Sequence, residues 1–307
     1  YYGYDSINEK LSEIESKIQD ISLFFRASKI KPTKELFLEK YDYEEKVVIT
    51  TEYEIFKCFE EYIEKGKLTK TPNTIKGQIT VKNYLELFCK EKNISLSFDE
   101  VNNDFFDSLR DYSYEVKKMK QNYFAKVIKV LKSFLNWAIE KGYNTNREFE
   151  KFKAAEHDID IVFLTFEELM NLYNYQFESD RLSQARDFYC MGCFTGLRFS
   201  DLSKLHLANI SEDHIVLSIQ KTKTQNHAIK LNKYAKAILE KYKGTIYEPL
   251  PIISSQKFNE YIKECCELVE INQLFTVHWF VGNKKKSLTQ PKCKFITSHT
   301  ARKTFIT

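Results

Sequence analysis

Arg198 has the residue type and the surroundings of an anion-binding side chain. It lies in residues 195–202, which read TGLRFSDL, directly after an apolar segment that ends at Phe194. A guanidinium so close to buried sequence requires a partner for its charge. Asp201, three residues later, could be that partner in an i, i+3 ion pair on a short helix. On its own, Arg198 is better explained by this structural pairing than by a functional role.

A histidine and a second arginine lie three residues apart in the last segment of the sequence, which reads TSHTARKTFIT from Thr297. Thr297 or Ser298 can cap a helix on which His299 and Arg302 lie on one face. An H-x-x-R pair is a weak pattern by itself, because chance supplies it often. Its meaning depends on the other basic residues of the chain.

A short β-hairpin is predicted between these two stretches. Apolar side chains alternate over residues 215–220, and residues 228–231 form a second short strand after a turn. Lys221 and Lys223 lie two residues apart near its tip, so their side chains share a face. Exposed lysines on turns are usually only solvated. We predict one hairpin in an otherwise helical domain, and a basic loop over residues 279–291.

In most of the remaining sequence the apolar residues recur at helical spacing. An amphipathic helix, a second short helix and a linker are predicted before residue 48. A helical bundle follows, and its last and longest helix is predicted over residues 112–141. Residues 142–156 are polar and mark a boundary, after which Thr165 and Glu168 form a capping box.

These elements divide the chain into three predicted parts. Residues 1–47 are a helix and linker that we expect to follow a module missing from this sequence. Residues 48–154 form a helical bundle, and residues 155–307 form a mixed, mostly helical domain with a small β-hairpin or sheet. The predicted fold class is therefore mainly α.

The helix predicted over residues 112–141 carries six lysines and no acidic residue between positions 117 and 132. Most lysine-rich helix surfaces are solvated faces. Lysines at one-turn spacing can also follow the phosphates of a duplex backbone. Hydroxyl residues at a helix start offer a second phosphate contact. The candidate phosphate contacts are Thr71, Thr74, Lys118, Lys126, Lys129 and Lys132.

Composition favours a helical protein with a large core. Of 307 residues 43% are hydrophobic, while 8 glycines and 5 prolines interrupt them, and the net charge of +4 permits a polyanionic partner without requiring one. The sequence shows neither a signal peptide nor a membrane-spanning run, so we expect a soluble, intracellular protein. Seven cysteines without a regular framework favour a reducing cytoplasm. Cys190 and Cys193 form a lone C-x-x-C inside an apolar helix, which favours core packing over zinc.

The order of the basic residues resembles that of a known family. An arginine in an apolar TGLRFSDL turn, a lysine on a hairpin and a later H-x-x-R at a helix start are together similar to the tyrosine recombinases. These include integrases of phages and of conjugative or mobilizable transposons, and type IB topoisomerases share the catalytic plan. The resemblance covers residues 51–307. It implies a SAM-like core-binding bundle at 48–154 and a catalytic domain at 155–307, closing around double-stranded DNA, with no cofactor.

The resemblance also implies roles for individual residues. Arg198 and Arg302 would hold the non-bridging oxygens of the scissile phosphate, and His299 would transfer a proton or donate a hydrogen bond beside it. Lys221, or less favourably Lys223, would protonate the departing 5′ oxygen. The supporting residues would be Asp201, which orients the first arginine, and Lys303, a basic residue of lesser consequence.

The nucleophile of the family is a tyrosine that follows the H-x-x-R pair, and none of the 19 tyrosines fits that position by motif. We therefore expect the sequence to be truncated before it, and to be inactive in cleavage as given. The leading hypothesis is a bacterial, nucleoid-associated enzyme that recombines DNA at specific sites and self-associates into dimers or tetramers on it. The alternatives are a non-catalytic DNA-binding regulator with the same fold and a helical protein-interaction scaffold.

Overall fold

The computed structural model describes residues 4–28, 30–45, 54–219 and 224–307. The α-helices, in chain order, are α1 (Tyr4–Ala27), α2 (Lys34–Glu45), α3 (Ile55–Gly66), α4 (Pro72–Lys92), α5 (Asn103–Asp111), α6 (Gln121–Glu140), α7 (Phe166–Asn174), α8 (Asp180–Thr195), α9 (Phe199–Leu202), α10 (Lys233–Tyr242), α11 (Ser255–Leu268) and α12 (Ser298–Ile306). The strands are β1 (Asn209–Ile210), β2 (His214–Ile219), β3 (Thr224–Lys230), β4 (Leu274–Val281) and β5 (Lys284–Pro291). A π-helical turn and short 3-10 helices lie at Tyr112–Val116, Glu148–Lys151, Leu205–Leu207 and Lys292–Phe295.

The chain divides into two compact units. The first comprises Tyr1–Leu109 and Val127–Phe152, and the second comprises Arg110–Lys126 and Lys153–Thr307. Helices dominate both units, and all five strands belong to the second. The predicted mainly α class, with a small amount of sheet in the C-terminal part, is therefore confirmed.

The first unit is built on aromatic packing between helices. Phe59 of α3 stacks on Phe134 of α6 with ring centroids 4.1 Å apart and an interplanar angle of 3°. Tyr62, one turn later on α3, shares a hydrogen bond of 2.8 Å with Ser133. Both Phe59 and Phe134 are almost fully buried. Apolar residues at helical spacing thus produce the predicted bundle.

The second unit is organised around α8, which is buried along most of its length. The helices α7, α10, α11 and α12 pack against it. Because every face of α8 is covered, its polar residues need internal partners. Asp187 accepts hydrogen bonds from Arg186 (2.6 Å), Tyr242 (2.7 Å) and Lys241 (2.6 Å). Burial, followed by the Asp187 carboxylate, raises the pKa of Tyr242.

The sheets correct one prediction. Strands β1, β2 and β3 form one antiparallel sheet, and β4 and β5 form a second antiparallel pair with Val281 opposite Lys284. The prediction of a single hairpin, with a basic loop over residues 279–291, is therefore wrong. Nearly all β5 side chains are exposed and mostly polar, so its sequence lacks the alternation of a half-buried strand.

The predicted continuous helix over residues 112–141 is also wrong. The π-helical turn closes with a hydrogen bond from the Met119 N–H to the Ser113 carbonyl (2.8 Å), and Lys118 has a φ of 50°. The next helix begins only at Gln121. The break between the π-helical turn and α6 therefore contains a lysine in the left-handed backbone conformation, whereas glycine or proline usually marks such a break.

Cys190 and Cys193 are core residues, as predicted. All seven cysteines are buried and none is in a disulfide. Burial raises the pKa of the Cys190 thiol, and raises that of Cys265 to about 12. Cys190 and Cys193 therefore lack the lowered pKa of reactive thiols. In the described part of the chain, no helix is both long and apolar enough to cross a membrane.

Candidate active site

The turn that leads to Arg198 is set by the end of α8. Gly196 follows the last helical residue with φ +67°, and its N–H donates to the Gly192 carbonyl at 2.9 Å. A Cβ atom at Gly196 would lie 2.5 Å from the Phe305 ring. Only glycine combines this backbone conformation with so close a neighbour. Arg198 is thus placed two residues beyond a buried helix by a turn that requires glycine.

The helix of the H-x-x-R pair, α12, packs on the same region of α8. The hydroxyls of Tyr189 and Thr300 share a hydrogen bond of 2.9 Å, and Ala301 lies against Gly192. Thr304 accepts a hydrogen bond from the Leu164 N–H at 3.0 Å. Burial raises the pKa of the Tyr189 phenol well above its ordinary value. These contacts therefore fix the orientation of α12, and with it the orientation of the residues on the other side of this helix.

Arg302 connects the two basic stretches directly. Its Nη1 donates a hydrogen bond of 2.7 Å to the carbonyl of Gly196, although the two residues lie 106 positions apart in the sequence. Arg302 is half-buried, and a guanidinium carries further N–H donors beyond the one used here. The second arginine of the pattern is therefore fixed against the turn that precedes the first.

Arg198 has no hydrogen bond or ion pair through its side chain within the described part of the chain. The guanidinium is half-exposed. The backbone of Arg198 is extended, with φ −75° and ψ 156°, because this residue is the N-cap of α9. An always-protonated group in such a position suits an external anion.

Asp201 does not pair with Arg198, contrary to expectation. It is 2% exposed, and neither carboxylate oxygen has a hydrogen-bond partner among the described residues. The i, i+3 rule assumes that both residues are helical, whereas Arg198 lies outside the helix that contains Asp201. The i, i+3 helix geometry therefore does not apply to this pair.

His299 and Lys303 line a cavity of about 320 Å³ in the second unit. His299 is exposed, and Lys303, one turn later on α12, is partly buried. The same cavity is also lined by His278, whose ring Nδ1 lies 2.9 Å from a carboxylate oxygen of Asp160. The His278 backbone N–H donates to the same oxygen at 2.5 Å, and these hydrogen bonds hold the pKa of Asp160 below its usual value.

The hairpin lysines predicted for catalysis, Lys221 and Lys223, lie outside the described residues. Strands β2 and β3 flank them, with Ile219 opposite Thr224.

Three comparisons with known proteins bear on this arrangement. No curated protein sequence matches the chain significantly. Residues 54–154 match the phage integrase SAM-like domain family. Among solved structures, DNA-bound lambda integrase matches with a TM-score of 0.58 and 15% identity over 82% of this chain and 85% of that one. A lambda integrase tetramer bound to a Holliday junction matches with a TM-score of 0.58 and 15% identity over 80% and 68%.

The integrase of transposon Tn1549, in complex with circular intermediate DNA, matches with a TM-score of 0.55 and 16% identity over 82% of this chain and 85% of that one. The chain has the fold of the tyrosine recombinase integrases. The resemblance read from the TGLRFSDL turn and the H-x-x-R pair is therefore confirmed for the fold and for a SAM-like domain in the first part of the chain.

The candidate phosphate contacts of this integrase fold differ in their surroundings. Thr71 is the N-cap of α4 and accepts a hydrogen bond from the Thr74 N–H at 3.3 Å, and both threonines are exposed. The Lys132 ammonium donates to the backbone carbonyls of Glu150 (2.8 Å) and Phe152 (3.2 Å). Lys132 therefore has a structural partner that the sequence pattern did not indicate.

The other three lysines, Lys118, Lys126 and Lys129, are exposed. The break before α6 means that Lys118 does not share one continuous helix with Lys126 and Lys129. The predicted lysine stripe is thus divided between two elements.

Sequence reasoning missed two contacts of the candidate site and its surroundings. Gly196 was recognised only as a turn residue, although its carbonyl anchors Arg302. The pair formed by His278 and Asp160 is not predicted, because the sequence pattern predicts no strand at His278. No local pattern identifies either contact, since each depends on the packing of distant segments.

Proposed function

We propose that this protein is a site-specific DNA recombinase that binds duplex DNA and activates one phosphodiester bond through Arg198, His299 and Arg302. The observation that carries the proposal is the hydrogen bond from Arg302 to the Gly196 carbonyl, because it joins the helix of the H-x-x-R pair to the turn before Arg198. The integrases with the same fold were solved in complex with DNA, which supports the choice of substrate.

The chemistry requires cations that stay charged beside a phosphate. A phosphodiester under attack gains negative charge on its non-bridging oxygens, and guanidinium groups offer aligned, permanently protonated donors to them. The half-exposed Arg198 side chain and the remaining N–H donors of Arg302 suit this task. His299 lies one turn before Arg302 and would donate a hydrogen bond or transfer a proton at the same phosphate. Lys303 would add positive charge nearby.

The finer part of the proposal is a 3′-phosphotyrosine mechanism. A phenolate oxygen forms a bond to phosphorus, the bond to the 5′ oxygen breaks, and Lys221 or Lys223 gives a proton to that oxygen. The reverse reaction, with the 5′ hydroxyl of another strand, rejoins DNA without an external energy source.

The two predicted domains would share the binding of DNA. Residues 48–154 would contact phosphates through Thr71, Thr74, Lys126 and Lys129, and residues 155–307 would hold the scissile phosphate. Lambda integrase has been solved as a dimer and as a tetramer on DNA. We propose that this protein likewise self-associates on its target, and that Asp201 supports the α9 segment.

Covalent trapping tests the enzyme proposal. The full-length protein containing residues 1–307 is incubated with a nicked suicide duplex that carries its attachment site, and the protein–DNA adduct is measured on a denaturing gel. We expect an adduct that Arg198→Ala and Arg302→Ala each reduce by more than 100-fold, with duplex binding retained, since one lost donor to a transition-state oxyanion costs about 10²–10³ in rate.

Arg181→Ala is the matched control, because Arg181 lies in the same unit, on α8, but forms an exposed ion pair with Glu264 (2.8 Å). It should leave the adduct unchanged. Retained cleavage in both site variants would refute the assigned roles. Specific duplex binding without any adduct would instead identify a non-catalytic regulator, and no duplex binding would refute the recombinase function.

A further inference from the structure

The β4–β5 hairpin carries three consecutive lysines, Lys284, Lys285 and Lys286, all of which are exposed. Successive side chains of a strand point to opposite faces, so Lys284 and Lys286 share one face. None of the three forms an ion pair with any described residue. Six other lysines of the second unit do pair with carboxylates, namely Lys236, Lys241, Lys243, Lys257, Lys292 and Lys294. The hairpin thus places three lysines without an ion pair next to one another in the sequence.

The hairpin is held firmly enough to direct these lysines. The Phe280 ring lies on the His157 ring with centroids 4.5 Å apart, and the Lys120 ammonium lies 4.7 Å from the centre of the Trp279 ring. At the turn, Gly282 has φ +58°, and a Cβ there would lie 3.3 Å from Tyr114. These contacts all involve β4 and the turn, so the β5 side chains remain exposed.

A groove of about 640 Å³ lies beside the hairpin turn within the second unit. Its basic lining residues are Arg110, Lys118, Lys153, Lys284 and Lys286, and its acidic lining residues are Asp111 and Glu115. The guanidinium of Arg110 lies 3.1 Å from Asp111, which compensates part of that negative charge. The groove therefore has an excess of positive charge that comes from three separate segments of the chain.

Edge strands often carry lysines merely to prevent pairing with another strand. That role explains exposure, but it does not explain why lysines from two other segments line the same groove. We propose that Lys284 and Lys286, together with Lys118 and Lys153, form a contact surface for the phosphate backbone of duplex DNA. This inference rests on the proposed function and adds a sequence-independent anchor outside the candidate active site.

Salt dependence of DNA binding tests the surface. The full-length protein and its Lys284→Gln/Lys286→Gln variant are titrated with a labelled duplex over a series of NaCl concentrations. The slope of log K against log salt should become less steep by about 0.9 for each lysine that contacts a phosphate, or about 1.8 for both. Lys118→Gln, on the groove but outside the hairpin, should change it by about 0.9.

The matched control is Lys236→Gln/Lys243→Gln, which removes the same charge from lysines that are already paired with carboxylates. It should leave the slope nearly unchanged. Circular dichroism verifies that each variant is folded.

Three results would overturn the inference in distinguishable ways. A hairpin variant with the slope of the original protein, or with the same change as the control, shows that these lysines do not contact phosphate. An unchanged slope with lost self-association would assign the surface to a second copy of the chain. If the protein without substitutions shows no salt-dependent binding to duplex DNA, the proposed function itself is refuted.

Discussion

Replacing Gly196 with alanine tests the packing that joins the two arginine segments. The residue has φ +67°, a conformation that costs an L-residue about 1–2 kcal/mol. The new methyl group would lie 2.5 Å from Cδ1 of Phe305, so the ring must move, and overpacking of this kind costs about 1–3 kcal/mol. The sum predicts that Gly196→Ala lowers the free energy of unfolding of the second unit by about 2–5 kcal/mol.

The assay needs a signal from the second unit alone. The chain has 2 tryptophans, Trp137 in the first unit and Trp279 in the second. In a Trp137→Phe background, urea unfolding followed by fluorescence therefore reports the second unit through Trp279. Each variant is compared with that background protein.

A double-mutant cycle separates the two causes. Phe305 is 52% exposed, so Phe305→Ala should itself be mild, and it removes the ring that the new methyl group meets. In the Phe305→Ala background, Gly196→Ala should cost only the backbone part, about 1–2 kcal/mol. The reasoning is refuted if Gly196→Ala costs less than about 1 kcal/mol, or if its cost is the same in both backgrounds.

Two further predictions use the same fluorescence assay. Asp187→Asn should destabilise the second unit by about 3–5 kcal/mol, because it leaves the buried guanidinium of Arg186 without its charged partner. The control Asp213→Asn, which breaks an exposed ion pair, should cost less than about 1 kcal/mol. Equal costs for the two variants would contradict a stabilising role of the buried network. Asp160 accepts two hydrogen bonds from His278, which lower its pKa below 3.8, so its stabilising contribution is present above pH 3.8 and is lost as the pH falls through the lowered value. The decrease in the urea midpoint below pH 3.8 should therefore be smaller in Asp160→Asn, and an identical pH profile would argue against the pair.

Several features of the fold follow from local sequence. The capping box of Thr165 and Glu168 is present at the start of α7, because its hydrogen bonds join residues only three positions apart. Gly196 ends α8 in the left-handed conformation that a glycine after an apolar helix indicates. The burial of Cys190 and Cys193 follows from the apolar residues around them.

Features set by distant packing could not be predicted in this way. The hydrogen bond between Arg302 and Gly196 depends on how α12 packs against α8. Strand β5 is stabilised by pairing with β4, and its own basic sequence does not predict a strand. The break at Lys118 occurs in a sequence without glycine or proline, so local propensity favoured an uninterrupted helix.

The contrast between Arg198 and Asp201 shows why spacing alone misjudged the site. An i, i+3 pair requires both side chains on one helix, but Arg198 is an extended N-cap residue and only Asp201 lies inside α9. The pairing that would have given Arg198 a purely structural role is therefore prevented by the backbone of the turn. With Arg302 anchored to the carbonyl of Gly196, the same turn brings one arginine to a protein acceptor and leaves the other for an external anion. This division between an anchored and an unpaired guanidinium is the physical argument for our proposal that both arginines hold one phosphate.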